Sequence, residues 1–342
     1  MLDLISVIAV YWAACYGASE SFTPVAPAER SKSRLYTIST FFLVMPFSIP
    51  HQIVPDRINS VHMSHKLNSK LPDVGTTIFT VMSQLAADCG AINLSQGFPS
   101  FDPPPALTDR IAWHLGNGGN QYAPMPGLPA LRQVIAEKNQ RFQGVELDTD
   151  TEITVCTGAT EGIFSTVAAV VHPGDEVIVL DPAYDSYEPA VALAGGTTRH
   201  VPLAIDENGH DFHPDWDRIA NTLTDKTRLI MLNFPHNPTG AILSREDLDT
   251  LADIVRDRQC FVMADEVYEH IVFENEPHRS LVSHDELWER SLVISSFGKT
   301  VHATGWKLGY CAAPPALTDE FRKVHQFTTF AVSTPMQCGV CL

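Results

Sequence analysis

Residues 292–300, Leu-Val-Ile-Ser-Ser-Phe-Gly-Lys-Thr, form the stretch around which the rest of the chain is organised. The apolar run 292–294 predicts a buried β-strand that ends in a turn of two serines and a glycine. Lysine is rarely buried, so a solvated surface side chain is the ordinary interpretation of Lys299. At the end of a core strand, however, desolvation lowers the pKa of a lysine, and its neutral amine can form a Schiff base with a carbonyl. Both interpretations stay open on this stretch alone.

Two further apolar runs predict core strands that end in polar side chains. Residues 260–264 lead into Asp265 and Tyr268, and residues 229–232 lead into Asn233. Open α/β sheets bind ligands at the carboxyl ends of their strands. A lysine for a Schiff base and an acid for a pyridinium nitrogen are what pyridoxal phosphate (PLP) requires from a protein. The sequence therefore predicts an α/β fold with a PLP site.

Five motifs resemble those of the class I/II aminotransferases, which are PLP enzymes of fold type I. The most similar pattern is that of the branch containing methionine aminotransferase and kynurenine aminotransferase/cysteine-conjugate β-lyase. In chain order the motifs are Gln96-Gly97-Phe98-Pro99, Asn120-Gln121-Tyr122, Asn233-Phe-Pro-His-Asn237-Pro-Thr-Gly240, Ala264-Asp265-Glu266-Val-Tyr268, and Ser296-Phe-Gly-Lys299 with Thr304-Gly-Trp-Lys307. Each motif alone is weak, but five in order at plausible spacing are specific. The resemblance extends from about residue 67 to residue 337.

The resemblance implies a three-layer αβα large domain with a mostly parallel seven-stranded sheet. We expect this PLP-binding domain to span residues 106–330, after an N-terminal arm and small-domain segment at residues 63–105. Residues 331–342 are interpreted as the truncated start of a small C-terminal domain that is largely missing, together with the family's carboxylate-binding arginine. Residues 1–62 do not resemble the family. We expect them to be disordered or to reflect a mis-assigned start upstream of Met63; a targeting or anchoring leader is the alternative.

The resemblance also implies how PLP is held. Lys299 would carry PLP as a Schiff base, and Asp265 would pair with the protonated ring nitrogen. Tyr184 would stack on the ring, with Tyr187 as the nearby alternative, and Tyr268 would donate to the phenolic oxygen. Without the resemblance, Asp265 could instead serve in a salt bridge or helix cap, although a buried acid at a strand end needs a specific partner. Glu266 and Glu269 are expected to lie outside contact with the cofactor.

Four residues are predicted at the cofactor phosphate. A strand at 152–156, a small-residue turn at 157–162 and a helix at 163–171 form an anion cradle, because small residues let phosphate approach backbone N–H groups. Ala159 and Thr160 are assigned to phosphate on this ground, although such a turn is structural more often than not. Ser296 and Lys307 could also reach the phosphate, and lysine is a compact charge suited to that contact.

Three residues are assigned to the substrate or to a partner subunit by the resemblance. The Gly97 backbone would lie near the substrate carboxylate, and Asn237 would contact both substrate and the PLP phenolic oxygen. Tyr122 would cross a dimer interface to the phosphate of the partner's PLP, which implies a homodimer with shared active sites. From the sequence alone, Gly97 is part of an ordinary Gly-Pro turn and Tyr122 is an aromatic residue beside a loop.

Composition narrows the possible partners. The net charge of −17 disfavours nucleic acid and anionic membranes. Seven cysteines, an odd and scattered set, fit reduced thiols in a cytoplasmic protein better than a disulfide framework. The spacing of Cys338 and Cys341 is interpreted as chance, and no metal site is predicted, since no H-E-x-x-H pattern occurs.

The predicted reaction is PLP-dependent transamination between an amino acid and a 2-oxo acid. Lys299 would act as general base and acid at the substrate Cα. The resemblance implies an amino donor with an uncharged side chain, such as methionine or an aromatic amino acid. Two alternatives stay open: β-elimination from cysteine S-conjugates, and an inactive truncated fragment that still binds PLP.

Overall fold

Nine strands alternate with helices in the computed structural model, which describes residues 68–93, 101–273 and 276–341. The strands in the described residues are β1 (Ile153–Cys156), β2 (Glu176–Asp181), β3 (Thr197–Pro202), β4 (Ala204–Ile205), β5 (Phe212–His213), β6 (Thr227–Asn233), β7 (Phe261–Asp265), β8 (Ser291–Ser296) and β9 (Gly309–Ala312). The α-helices in the same ranges are α1 (Ile78–Asp88), α2 (Pro105–Gly116), α3 (Pro129–Gln143), α4 (Gly158–Val170), α5 (Tyr187–Ala194), α6 (Trp216–Thr222), α7 (Arg245–Val255), α8 (Asp285–Trp288), α9 (Phe297–Thr300), α10 (Pro315–Thr328) and α11 (Thr334–Val340). The leader 1–62, the start at Met63 and the loop residue Gly97 lie outside the described residues.

Seven strands form one sheet in the order β1-β9-β8-β7-β6-β2-β3, and β4 pairs with β5 separately. The neighbouring strands β3, β2, β6, β7 and β8 are parallel to one another, whereas β9 is antiparallel to both β8 and β1. The apolar runs that predicted core strands become β6, β7 and β8. They are apolar along their whole length because both faces of the sheet are covered.

Two apolar clusters cover the two faces of the sheet. One includes Leu131 of α3, Ile219 of α6 and Leu248 of α7. The other includes Val167 of α4 and Phe321 of α10. Helices therefore lie on both sides of a mostly parallel seven-stranded sheet, which confirms the predicted three-layer αβα fold.

The structure corrects one helix start near the predicted phosphate site. The turn predicted at 157–162 is largely helical, because α4 begins at Gly158 rather than at residue 163. Gly158 has φ +72, a value that glycine adopts without strain, and this lets the chain turn directly from β1 into the helix. Ala159 and Thr160 thus lie in the first turn of a helix, and their N–H groups point out of its N-terminus.

The start of helix α7 agrees with its prediction. The cap predicted at Ser244 is a full capping box, in which Ser244 and Asp247 each bind the other's backbone N–H. Helices α5, α8, α9 and α11 were not predicted, and the turn expected at Lys299 is the short helix α9. None of the helices in the described ranges is both long and apolar enough to cross a membrane.

Candidate active site

A cleft of about 1200 Å³ lies where β6, β7 and β8 end and α4 begins. Nine of the residues predicted from the sequence line it: Ala159, Thr160, Tyr184, Asn237, Asp265, Tyr268, Ser296, Lys299 and Lys307. They come from segments up to about 150 residues apart in the chain. Parallel strands bring them together because their carboxyl ends share one edge of the sheet.

Lys299 lies on α9, the short helix that directly follows β8. Ser296 holds the start of this helix, because its hydroxyl accepts a hydrogen bond from the Gly298 N–H at 3.1 Å. The Lys299 ammonium lies over the ring of Tyr268, 5.3 Å from the ring centroid. Burial lowers the pKa of Lys299; Asp265 opposes this effect and Lys307 adds to it. A larger fraction of the amine is therefore neutral than for a surface lysine.

Asp265 ends β7 and is only 4% exposed. Burial raises its pKa to about 6, while a 2.6 Å hydrogen bond donated by the Tyr187 hydroxyl works in the opposite direction. The carboxyl is therefore mostly ionised at neutral pH. Next to it, Asn233 ends β6 in register with Asp265 and donates to its carbonyl oxygen at 2.9 Å. The two strand ends are thus held together.

Asn237 and Tyr268 approach each other across the cleft. The Asn237 side-chain amide donates to the Tyr268 hydroxyl oxygen at 3.1 Å. The Asn237 backbone N–H is itself held by the Asn233 side-chain oxygen at 3.1 Å. In this arrangement the Tyr268 hydroxyl keeps its own proton to donate to a third group.

The N-terminus of α4 and Lys307 form the positive end of the cleft. Within the described part of the chain, Thr157 at the N-cap makes no side-chain hydrogen bond to this helix. A Cβ on Gly158 would lie 3.3 Å from the Lys307 ammonium nitrogen, so the glycine leaves room for that cation beside the first turn. Uncapped N–H groups and an ammonium together are a good site for a phosphate.

A family model for aminotransferase class I and II matches residues 90–340. The chain belongs to the class I and II aminotransferases. These are PLP-dependent enzymes, and this aminotransferase shares their cofactor and their general activity, the transfer of an amino group between amino and 2-oxo acids. The residues around the cleft fit PLP, because a buried acid, a lysine of lowered pKa and a positive helix terminus surround one open space.

Three similar proteins illustrate the range of this aminotransferase's relatives. The methionine aminotransferase of Escherichia coli is 51% identical over 272 residues, which are 80% of this chain and 69% of that protein. The kynurenine–oxoglutarate transaminase of Dictyostelium discoideum is 36% identical, over 81% of this chain and 67% of the relative. The solved structure of N-succinyldiaminopimelate aminotransferase from Mycobacterium tuberculosis superposes with a TM-score of 0.77 at 41% identity, covering 80% of this chain and 71% of that chain.

Two predicted residues of the aminotransferase are not in the described cleft. Gly97 lies outside the described residues. Tyr122 is 82% exposed, and its ring contacts the ring edge of Phe330 at 5.2 Å between centroids rather than the cleft. The assignment of both residues to an active site stays a prediction.

Sequence reasoning missed two polar contacts of the aminotransferase site. Tyr187 was considered only as an alternative ring partner, yet its hydroxyl binds Asp265. Asn233 was seen only as a strand end, although it ties β6 to β7. A register argument could have found Asn233, because two parallel strands that end in polar residues bring those residues side by side. The Tyr187 contact depends on how α5 packs, which local sequence does not show.

Proposed function

We propose that this aminotransferase transfers the amino group of an amino acid with an uncharged side chain, such as methionine or an aromatic amino acid, to a 2-oxo acid. The observation that carries the proposal is the meeting of Lys299 and Asp265 in one cleft, with Asp265 at the end of the buried strand β7 and Lys299 on the short helix that follows the buried strand β8. Burial moves the pKa of both side chains toward neutral pH. Perturbed acid–base pairs in a cleft are typical of catalytic sites.

Each proposed contact with PLP follows from the chemistry of the side chain. Asp265 would pair with the ring nitrogen, and Tyr184, which lines the cleft, would stack on the ring. Asn237 and Tyr268 would donate to the phenolic oxygen. The phosphate would be held by the first turn of α4 at Ala159 and Thr160, by the Ser296 hydroxyl and by the Lys307 ammonium, all of which line the cleft.

The chain's own residues would then transfer one proton from and to the substrate. Bound PLP supplies an electron sink for the substrate's reacting carbon. The Lys299 amine would take the proton from the substrate Cα and return it, a role that suits an amine of lowered pKa. The Asp265 carboxylate would hold a positive charge on the ring nitrogen. Gly97 and Asn237 would orient the substrate carboxylate.

The lining of the cleft supports an uncharged substrate side chain. Apolar side chains line it besides the polar residues, among them Phe79, Ile242, Ile271 and Phe273. Asp211 and Glu276 also line it, and their carboxylates would repel an acidic side chain. Methionine and aromatic amino acids fit this lining better than aspartate does. The similarity to a methionine aminotransferase supports the same choice.

We further propose a homodimer in which Tyr122 contacts the PLP phosphate of the partner subunit. The exposure of Tyr122 on the surface supports this, since the side chain is available to a second subunit.

We also propose that residues 106–330 form the PLP-binding domain, flanked by an arm at 63–105 and a further segment at 331–342. The cysteines in the described residues are free thiols, which supports a reducing, cytoplasmic setting.

The test is an absorbance spectrum of the purified protein with PLP, compared between wild type and Lys299→Ala. A visible band of lysine-bound cofactor is expected in the wild type and not in the variant. Lys323→Ala is the matched control, since Lys323 is an exposed lysine paired only with Glu320 among the described residues, and it should keep the band. A soluble wild-type protein with no band would refute the proposal.

Substrate choice is tested by adding amino acids to the loaded protein. Methionine is expected to convert the band to the pyridoxamine form and to yield its 2-oxo acid, faster than aspartate does. Pyruvate and ammonia from a cysteine S-conjugate would instead support β-elimination. A band that no amino acid changes would mean that the chain binds PLP without turnover.

A further inference from the structure

A buried ion pair connects four segments beside the proposed PLP site. Lys138 of α3 contacts the carboxylate of Glu269, and the two side chains are only 16% and 7% exposed. Lys138 also donates to the Tyr310 hydroxyl of β9 at 2.5 Å. The other Glu269 oxygen accepts a hydrogen bond from the Ser295 hydroxyl of β8.

Both members of this pair are charged. Burial alone would lower the pKa of Lys138, but Tyr310 and Glu269 raise it above its ordinary value. Burial alone would raise the pKa of Glu269, but Lys138 and the Ser295 hydroxyl bring it below its ordinary value. A carboxylate and an ammonium therefore lie inside the protein at neutral pH.

Stability alone is a weak reason for such a pair. Desolvation of two buried charges offsets much of their attraction, and apolar residues of similar volume often replace them without loss. The location of the pair is more informative. Glu269 directly follows Tyr268, and Ser295 directly precedes Ser296, which caps the helix of Lys299. The contact between Glu269 and Ser295 thus joins the two segments that carry Tyr268 and Lys299.

The other side of Tyr268 is also held by a buried carboxylate. Glu266 accepts a hydrogen bond from the Leu281 N–H at 3.0 Å and pairs with His278 at 2.8 Å. Tyr268 therefore lies between two fixed carboxylates, neither of which lines the cleft among the described residues. The Glu266 backbone N–H donates to the Ile294 carbonyl oxygen of β8 at 2.8 Å, but of the two carboxylates in the described residues it is that of Glu269 that binds a side chain of this strand, the Ser295 hydroxyl.

We propose that Glu269, held by Lys138, is a positioning residue that fixes Tyr268 relative to Lys299. The proposal rests on the PLP site proposed above. It goes further, because it assigns a role in the reaction to two residues that do not touch the cofactor. Loss of the pair would let the Tyr268 segment and the end of β8 move apart, and the hydrogen bond from Tyr268 to the cofactor's phenolic oxygen would weaken.

The experiment measures the pH titration of the cofactor's absorbance band in the resting enzyme. Glu269→Gln is expected to move the midpoint to higher pH by roughly one pH unit, because a phenolic oxygen that loses a donor holds its shared proton more strongly. Ser295→Ala leaves the ion pair intact and removes its link to β8. It is expected to move the midpoint in the same direction by less, and it keeps the test available if Glu269→Gln does not fold.

A double variant separates positioning from folding. Lys138→Met with Glu269→Met removes both charges. The Tm of this double variant is therefore expected to lie closer to that of the wild type than the Tm of Glu269→Gln does. The midpoint is expected to stay displaced, with kcat lowered about tenfold and KM changed little. If the midpoint returns to the wild-type value together with Tm, the pair is merely structural and the proposal is wrong.

One control variant completes the design. Arg132→Met removes another buried cation of the same helix, whose contacts are Gly127, Thr149 and Asp150 rather than the Tyr268 segment. The Tm of Arg132→Met should fall, while the midpoint of its band titration stays in place. A displacement of that midpoint equal to the displacement in Glu269→Gln would overturn the proposal. A wild-type protein with no band would refute the PLP site itself, whereas a band with unmoved midpoints in Glu269→Gln and Ser295→Ala refutes only the positioning role.

Discussion

Asp265 ends the buried strand β7, Lys299 lies on the helix that follows the neighbouring strand β8, and burial brings their pKa values closer together. The pKa of Asp265 rises to about 6, and that of Lys299 falls below its ordinary value. The protein thus holds an acid and a base that are both nearer to neutral pH than their surface counterparts. The Tyr187 hydroxyl limits the rise for Asp265, because it donates to the ionised form.

Tyr187→Phe tests this balance. Loss of a buried hydrogen bond to a carboxylate costs about 1.5–3 kcal/mol, so the pKa of Asp265 should rise by roughly one to two units. Activity needs the ionised carboxylate and is lost as pH falls through this pKa. The acid limb of the kcat/KM profile is therefore expected to move to higher pH, with the alkaline limb unchanged. An acid limb that stays in place would show that Asp265 does not control it.

At the scale of secondary-structure elements, α4 is held in place by a buried contact to α10. The His325 imidazole is fully buried, with Nδ1 2.9 Å from the Glu161 carboxylate of α4 and Nε2 3.2 Å from the Met125 carbonyl oxygen. Burial alone would raise the pKa of Glu161, but His325 and Ser165 hold it below its ordinary value. This contact fixes the helix whose first turn is proposed to bind phosphate.

His325→Leu should lower the free energy of unfolding by about 1.5–3 kcal/mol at pH 7, because it leaves the largely buried Glu161 carboxylate without the imidazole that hydrogen-bonds it. A lowered carboxylate pKa stabilises the fold above the unfolded-state pKa, and this contribution is lost as pH falls through the folded-state pKa. The variant's deficit should therefore shrink in acid. The added change Glu161→Gln should recover most of the loss at pH 7. Urea unfolding at both pH values measures this, and a deficit that is independent of pH would contradict it.

The elements that apolar runs define were predictable, and contacts between distant residues were not. The strands ending at Asn233, Asp265 and Ser296 followed from local pattern, and the parallel sheet then placed their polar ends together. The contact of Lys138 with Glu269 joins residues 131 positions apart. A hint existed, since Lys138 lies three residues after the buried Ile135 and next to the buried Asn139 on α3, but nothing local identified its partner.

At the scale of the whole molecule, several large apolar side chains of the described residues are exposed, and the proposed homodimer would cover some of them. Tyr122 and its neighbour Phe330 are both exposed. Helix α1 also exposes an apolar stripe at Ile78, Val81 and Leu85. Exposed apolar stripes of this kind are typical of protein interfaces.

Shared active sites can be tested by mixing subunits. Tyr122→Ala and Lys299→Ala proteins, assayed separately at limiting PLP, are each expected to have low activity. In a mixed dimer, the Lys299 of one subunit would meet the Tyr122 of the other, so one of two sites is intact. Random pairing then restores roughly a quarter of wild-type activity. No gain on mixing, with subunit exchange verified by mass, would contradict the shared site.

The position of β9 in the sheet also bears on how the protein is made. This strand follows all the others in the chain, yet it lies between β1 and β8. Until residues 309–312 pair with it during folding, β8 remains an open edge, and open edges attract strands of other chains. Pairings between distant parts of the sequence also form slowly. The growing chain therefore passes through a stage that is prone to aggregation, in which we expect it to depend on chaperones.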